Sequence, residues 1–564
     1  MVDVFTKPKI SAAQIVLVFS VLVLVIVVGI PVILIFLTAF FEDGKLNIPG
    51  FVQILKDPDT YQALWNSLII AFGTTLCATI VGVFFAWLVA RTDLPFKKTM
   101  KALFLVPFML PSFIGALAWK VLLSPRAGYI NKFLMALFGL EKAPIDIMSM
   151  GGIIVIESMY LFPFVFLQVE SALERMDPTL EESARISGAG LLTITRKITL
   201  PLVLPSILSG ALLVALYSLA HFGVPAILGT EKGIYNIPTK IYERIYSSGG
   251  SFRAIRVGTI LSTILVISAA LILKAQDLLL KKGKYQIIAG KSMRPMLLKL
   301  RALRTPLLIV SILYIGTTVI LPTVTIFLLG GLKTYGLSFE IKNLTWANYL
   351  EIFRWKMTKD AIWNSVYLSL GAALVTMLAG TMISYVIVKS RPKGKFILEL
   401  LGVLPFSLPG TVIALGVILT WSGRFGINLY NTPWIIFVAY IARYMAFSLK
   451  SNSATLQQVS DSLEEASRAC GATHFQTLKN IVLPLIRPGM ISAFFLIFLP
   501  ALRELTTSVL LYGPTTRTIG VAIYALNEDG ETVRAAALAS VALVIILLGE
   551  TSIRNFLARL QKQE

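Results

Sequence analysis

Five ionisable side chains lie inside long apolar runs of this sequence: Glu157, His221, Arg443, Arg503 and Glu504. A charge in hydrocarbon is costly, so such groups persist where they pair, line a polar passage or relay protons. A translocation path is one chemistry they suggest. Helix packing is the other, with Glu157 or Glu504 available to neutralise Arg503. Successive helical residues point about 100° apart, so Arg503 and Glu504 cannot both face one site on a continuous helix. Other reactive types are sparse. Two His and two Cys, scattered, build no metal site of ordinary spacing. No clustered His, Asp, Ser or Cys set sits at the end of an apolar run, so no catalytic residue is assigned. The nearest approach to a phosphate-binding loop, AGKS at Ala289–Ser292, has Tyr285 where Gly is required and no strand before it.

A second constellation is polar and occurs twice. LEESARISGAG (Leu180–Gly190) returns 283 residues later as LEEASRACGAT (Leu463–Thr473). Over 23 aligned positions, through Leu202 and Leu485, ten residues are identical, where average composition gives roughly one or two. In the first copy Asp177 reads as an N-cap, Pro178 as the first helical residue, and Glu181 and Glu182 as early carboxylates that suit the helix dipole. Gly188 ends that helix. A second short helix, about 191–199, is expected to stop at Leu200-Pro201, where the chain re-enters the membrane. The second copy uses Ser460 or Asp461 as cap, Gly471 as break and Leu483-Pro484 as exit.

The elements that must hold these groups are membrane spans. The chain has 564 residues, 56% hydrophobic and 14% charged, with mean hydropathy +0.79, so most of it is dissolved in a lipid bilayer. Its net charge of +21 is read as the cytoplasmic excess of Lys and Arg found in membrane proteins and not as a nucleic-acid surface. A crossing takes about 20 apolar residues, which gives twelve candidates: 14–40, 65–90, 102–124, 152–170, 205–228, 256–274, 306–331, 364–388, 397–420, 433–450, 489–512 and 536–553. The first exceeds the core of a cleaved signal peptide and reads as a retained span. Basic loops at Lys7 and Lys9, at Arg91, Lys97, Lys98 and Lys101, and at Lys389, Arg391, Lys393 and Lys395 place both termini in the cytoplasm.

The expected fold is an all-α polytopic membrane protein of about twelve spans. Residues 1–280 form a first six-span domain, 281–304 a basic cytoplasmic linker, and 305–564 a second six-span domain. LWNS (Leu64–Ser67) with IWNS (Ile362–Ser365), and VPFMLP (Val106–Pro111) with LPFSLP (Leu404–Pro409), repeat at an offset of 298. The two offsets differ by 15, which puts 15 extra residues in the outer loop around Ser124–Gly151. Six spans per half preserve orientation, so the repeat is parallel. Each polar copy follows the fourth span of its half and faces the cytoplasm as a helix-turn-helix. A surface held in duplicate suits a partner with two equivalent sockets, such as a homodimer. Under the 283 offset His221 falls on Glu504, which makes them a pair of pathway candidates at equal depth. Pro107, Pro111, Pro405 and Pro409 mark where the third and ninth spans can bend.

EESARISGA…LP and EEASRACGA…LP resemble the EAA loop of bacterial ATP-binding-cassette importer permeases. HFGVPAILG (His221–Gly229) and RELTTSVLLYGP (Arg503–Pro514) resemble segments of the fused two-domain permeases of the ferric-iron importer type. The loops depart from the pattern at Ser183 and Ser467, both small. The resemblance implies that Glu181, Glu182, Ser183, Ala184, Gly188, Leu200 and Pro201, with Glu464, Glu465, Ala466, Ser467, Gly471, Leu483 and Pro484, form two ATPase-coupling segments. It further implies a bacterial inner-membrane protein, not itself an enzyme, served by an extracytoplasmic binding protein and two copies of a cytoplasmic ABC ATPase. ATP and Mg would sit on that ATPase and no cofactor in this chain. Ferric iron is the implied cargo, with thiamine, phosphonates or other organophosphates, and polyamines as alternatives. An ion-gradient-driven secondary transporter also has two six-span halves, but has no reason to keep the duplicated cytoplasmic motif.

Overall fold

The computed structural model describes residues 12–177, 179–282, 297–390 and 394–560. Lys7, Lys9, Pro178, Arg391, Lys393 and the linker from 283 to 296, with Tyr285 and the AGKS segment, lie outside the described residues. Among the described residues nine helices are long and apolar enough to cross a membrane, or eleven if each of two bent pairs is one crossing. The expected tenth span is the 24-residue helix Pro433–Leu456, about 36 Å long at 1.5 Å per residue. Arg443, two tyrosines and a serine-rich end dilute its apolar run.

The halves repeat helix by helix. Pro58–Arg91, Lys97–Met109 and Ser112–Leu123 return as Lys356–Tyr385, Lys395–Ser407 and Gly410–Trp421. Met150–Arg175 and Leu200–Leu219 return as Pro433–Leu456 and Leu483–Leu502. The extra residues of the first half fall between Leu123 and Met150 and include the helix Tyr129–Phe138. Buried Asn131 fastens this insertion, donating to the carbonyls of Leu123, Ser124 and Ile145 at 2.9, 3.1 and 2.8 Å.

Prolines explain the departures from straight spans. The third and ninth spans, expected as single helices, break after Met109 and Ser407 and turn by 90° and 118°. Pro111 and Pro409 have no N–H to give the carbonyls of Pro107 and Pro405, and their rings crowd those carbonyls, so the helix cannot continue. Five wide π-type turns, Val25–Gly29, Thr195–Thr199, Gly316–Ile320, Val386–Ser390 and Leu478–Val482, each end two residues before a proline in the sequence. At Pro31, Pro201, Pro322 and Pro484 the widened turn accommodates the missing bond and the helix continues. Leu200-Pro201 and Leu483-Pro484 are therefore not stops as expected from sequence. The helix runs through them from Leu191 to Leu219 and from His474 to Leu502.

The fifth and eleventh spans also end sooner than expected. Helix stops at Leu219 and Leu502, and His221, Arg503 and Glu504 sit in the non-helical turns that follow. Short buried helices, Gly223–Leu228 and Ser508–Leu511, come next.

The halves exchange their first spans. Ile30–Phe40 packs on Gly410–Trp421 of the second half as well as on Phe252–Lys282 of its own. Reciprocally, Leu321–Gly330 packs on Ser112–Leu123 of the first half and on Thr532–Leu560. One apolar core, containing Ile35, Leu117, Ile326 and Val417, runs through both halves. Lipid is as apolar as these side chains, so close fit rather than burial holds the spans together. Gly416 shows the fit: a Cβ there would lie 2.8 Å from the Pro31 carbonyl oxygen. Gly416→Ala is expected to cost about 1–3 kcal/mol, read as a lower unfolding midpoint in detergent. An unchanged midpoint would mean that this contact does not join the halves.

Candidate functional site

The duplicated segments fold alike. Thr179–Ile186 and Asp461–Ala469 are short helices closed by Gly188 and Gly471 at φ +80° and +84°, a left-handed conformation that glycine adopts without strain. In each, the glycine N–H donates to the carbonyl three residues back, Arg185 or Arg468, and the following N–H reaches five back, to Ala184 or Ser467. Asp177 caps the first helix by accepting from Thr179 N at 2.9 Å, and this bond holds its carboxyl below the usual range. Ser460 caps the second. Ser467 Oγ shares a hydrogen bond with Thr477 Oγ1 at 3.0 Å, joining the two short helices of that copy.

The paired glutamates of each copy divide their tasks. Glu181 faces its own half, 3.6 Å from Arg91 Nη1 and accepting from Thr199 Oγ1 at 2.6 Å. Glu464 does the same, 3.6 Å from Lys389 Nζ and accepting from Tyr385 OH at 2.9 Å. Arg91 and Lys389 are equivalent under the 298 offset, so a cation at the end of the second and eighth spans anchors each of these short helices. The anchors differ in their surroundings. Lys389 also binds Asp461 and the Val459 carbonyl, both at 2.6 Å. Arg91, 2% exposed, has no hydrogen-bond partner for its side chain among the described residues. Its backbone carbonyl accepts from Leu298 N at 2.8 Å, while Asp93 Oδ1 accepts from Leu300 N, so the far end of the linker lies against this corner.

Glu182 and Glu465 join neither network; Glu182 is half-buried and Glu465 exposed. Around them Ser183, Ala466, Pro201 and Pro484 are exposed, Ala184, Ser467 and Leu483 half-buried, and Leu200 partly open. Ile186, 89% exposed, and Phe475, 70% exposed, add apolar surface of the sort that marks a protein contact. Arg91 and Lys389 were legible only as loop charges, although the 298 offset that pairs them was available.

The ionisable groups of the spans form two clusters with reversed polarity. In the first half Glu157, fully buried, accepts from His221 Nδ1 at 2.9 Å, from Thr74 Oγ1 at 3.3 Å and from Ser218 Oγ. The other ring nitrogen, Nε2, shares a hydrogen bond with Ser112 Oγ at 2.9 Å. Ser112 opens the second leg of the broken third span. In the second half Glu504 lies 3.3 Å from Arg443 Nε and accepts from Tyr444 OH at 2.8 Å and from Thr507 N, just before the next short helix, at 2.8 Å. The acid stands on the fourth span and the base beyond the fifth in one half; in the other the order is inverted. Each cluster abuts the broken span of its half, at Ser112 in the first and at Gly410 in the second.

Arg503 pairs with neither Glu157 nor Glu504. Its Nη1 donates to the carbonyls of Phe108, at 3.0 Å, and Met109, and its guanidinium lies 5.7 Å from the Phe108 ring centre. Those carbonyls end the first leg of the third span and have no partner within the helix. Arg503 thus ties the second half to the break in the first, where positive charge also suits the helix C-terminus. Its counterpart in the first half is Ala220, so the brace is one-sided. Arg503→Ala is expected to cost about 1.5–3 kcal/mol, the worth of charge-assisted hydrogen bonds, with Arg503→Lys recovering part of it. Equal unfolding midpoints for wild type and Arg503→Ala would remove the brace. Among the described residues no group of three or more His, Cys, Asp or Glu could hold a metal ion.

Two fused six-span units, each with a capped helix-turn-helix after its fourth span, define a membrane transport subunit. Residues 78–283 and 374–562 both match the family described as binding-protein-dependent transport system inner membrane component, and the chain belongs to it. It is a multi-pass inner-membrane protein that works with a substrate-binding protein. Its relatives include a ferric transport system permease protein of Actinobacillus pleuropneumoniae, 28% identical over 92% of this chain and 74% of that protein. An Fe(3+)-transport system permease protein of Haemophilus influenzae is 26% identical over 94% and 96%. A spermidine/putrescine transport system permease protein of Escherichia coli is 32% identical over 37% of this chain and 78% of its own length. The solved bacterial ABC transporter for import of the acidic polysaccharide alginate aligns over 45% of this chain and 98% of its own, at 22% identity and a TM-score of 0.35.

Proposed function

We propose that this chain is the permease of an ATP-driven ferric-iron importer. Two copies of a cytoplasmic ABC ATPase, which carry the ATP and Mg, dock on Thr179–Ile186 and Asp461–Ala469, and both termini lie in the cytoplasm. An extracytoplasmic binding protein delivers the cargo. The observation that carries this reading is the duplicated segment, folded alike in both halves with one glutamate held inward by a cation and the next left outside that pair. The iron assignment is supported by the ferric-transport relatives, which align over more than nine-tenths of the chain. His221 and Glu504, with Glu157, Arg443 and Arg503, are placed along the passage, where they hold the breaks of the third and ninth spans.

The test is uptake of radioactive ferric iron by cells expressing the permease with its ATPase and binding protein. Iron entry that requires all three is expected. Entry of spermidine in place of iron would retain the importer and replace the cargo, and uptake driven by an ion gradient without the ATPase would overturn the class.

A further inference from the structure

A cavity of about 340 Å³ opens in the second half among the ends of the eighth, ninth and tenth spans, between Ile387, Lys395, Glu399, Lys450, Ser453 and Gln457. It lies at the coupling-helix end of the molecule, two residues from Lys389, which holds Glu464. The repeat shows what is unusual about it. At the matching place in the first half, Lys101 bonds to Glu174 at 3.4 Å and to Glu170, which is 2% exposed, and Phe166 is packed into the core beside them. The corresponding residues here are Glu399 for Lys101, Ser453 for Glu170, Gln457 for Glu174 and Leu449 for Phe166. Both carboxylates have become neutral hydrogen-bonding groups, and the aromatic ring a smaller side chain.

A lysine has also been added, because Lys450 stands where the first half has Leu167. Its ammonium lies 4.6 Å from the Phe406 ring centre and pairs with no carboxylate among the described residues. Lys395 is matched by Glu399 at 3.4 Å, so the lining keeps one positive charge. The 13-residue helix Lys395–Ser407 begins at the cavity, with Gly394 as an N-cap that offers no side-chain bond, and its first N–H groups add positive potential. An unpaired lysine beside the balanced Lys395–Glu399 pair, two neutral hydrogen-bonding side chains and a helix start without a side-chain cap among the described residues surround an open volume and match one ligand chemistry.

We propose that this cavity binds a phosphate group and, by bridging the eighth, ninth and tenth spans, stiffens the support of the second coupling helix alone. The phosphate belongs either to an anionic lipid headgroup or to a soluble ion. Two series of unfolding midpoints on the full chain separate the sources. One is millimolar inorganic phosphate in detergent against chloride at equal ionic strength; the other is phosphatidylglycerol against phosphatidylcholine nanodiscs. Each is run on wild type, on Ser453→Glu with Gln457→Glu, which restores the carboxylates of the first half, and on Lys450→Gln. Wild type is expected to gain several degrees in at least one series and both variants to lose that gain. A gain in the phosphate series identifies a soluble anion, and one confined to phosphatidylglycerol a lipid. No gain in either series, or a gain of equal size in wild type and Lys450→Gln, overturns the proposal. Lys450→Gln breaks no ion pair among the described residues, so it decides the matter even if the double variant fails to fold.

Discussion

Replacing Glu182 and Glu465 together with alanine is expected to lower ATP-driven uptake by about 100-fold or more while the chain still inserts and unfolds at its normal midpoint. Both side chains lie outside the ion pairs that fasten the coupling helices, so their loss removes nothing from the internal packing of the permease. In the proposed complex each would make a charge-assisted contact with the docked ATPase, worth about 1.5–3 kcal/mol. Two such losses correspond to a hundredfold or more in a coupled equilibrium. The readouts are uptake, membrane abundance and ATP hydrolysis in the same preparation, with hydrolysis continuing while transport stops. Undiminished uptake in the double variant would refute docking through these residues.

Removing the inner glutamates is expected to give the opposite signature, and an unequal one. Glu181→Ala leaves Arg91 buried with no carboxylate partner among the described residues. Guanidinium does not lose its proton in a protein, and breaking a buried pair in this way costs about 3–5 kcal/mol. Glu464→Ala is milder, about 1–2 kcal/mol, because Lys389 keeps Asp461 and the Val459 carbonyl. The first variant should therefore accumulate poorly and unfold well below wild type, and the second only slightly below. Equal losses, or a larger loss for Glu464→Ala, would contradict the inequality of the two anchors. The two near-identical segments thus rest on unequal supports.

Much of this architecture was open to reading because membrane solvent makes sequence patterns blunt. Apolar length determined the crossings, and the two offsets, 298 and 283, determined the repeat and the position of the added outer residues. The helix-turn-helix was legible because cap and glycine signals act within a few residues, and Gly188 and Gly471 adopt the left-handed turn their type permits. Proline was legible only as a disturbance. Nothing local distinguishes Pro111, where the helix breaks, from Pro201, where one turn widens and the helix continues.

The sequence by itself determined which groups exist and how the repeat pairs them: Glu157 in the fourth span, His221 and Glu504 at equivalent positions, Arg503 beside Glu504. Only the tertiary structure decided their partners. Arg443, not Arg503, meets Glu504 because the eleventh helix ends at Leu502 and the next residues leave the helical spiral, which removes the fixed angle between neighbours. Arg503 instead finds carbonyls that are free only because a helix of the other half is broken. Ion pairs and caps between distant segments depend on where helices stop and how two halves approach. Those outcomes come from the packing of the whole chain, and a local pattern of residue types carries no record of them.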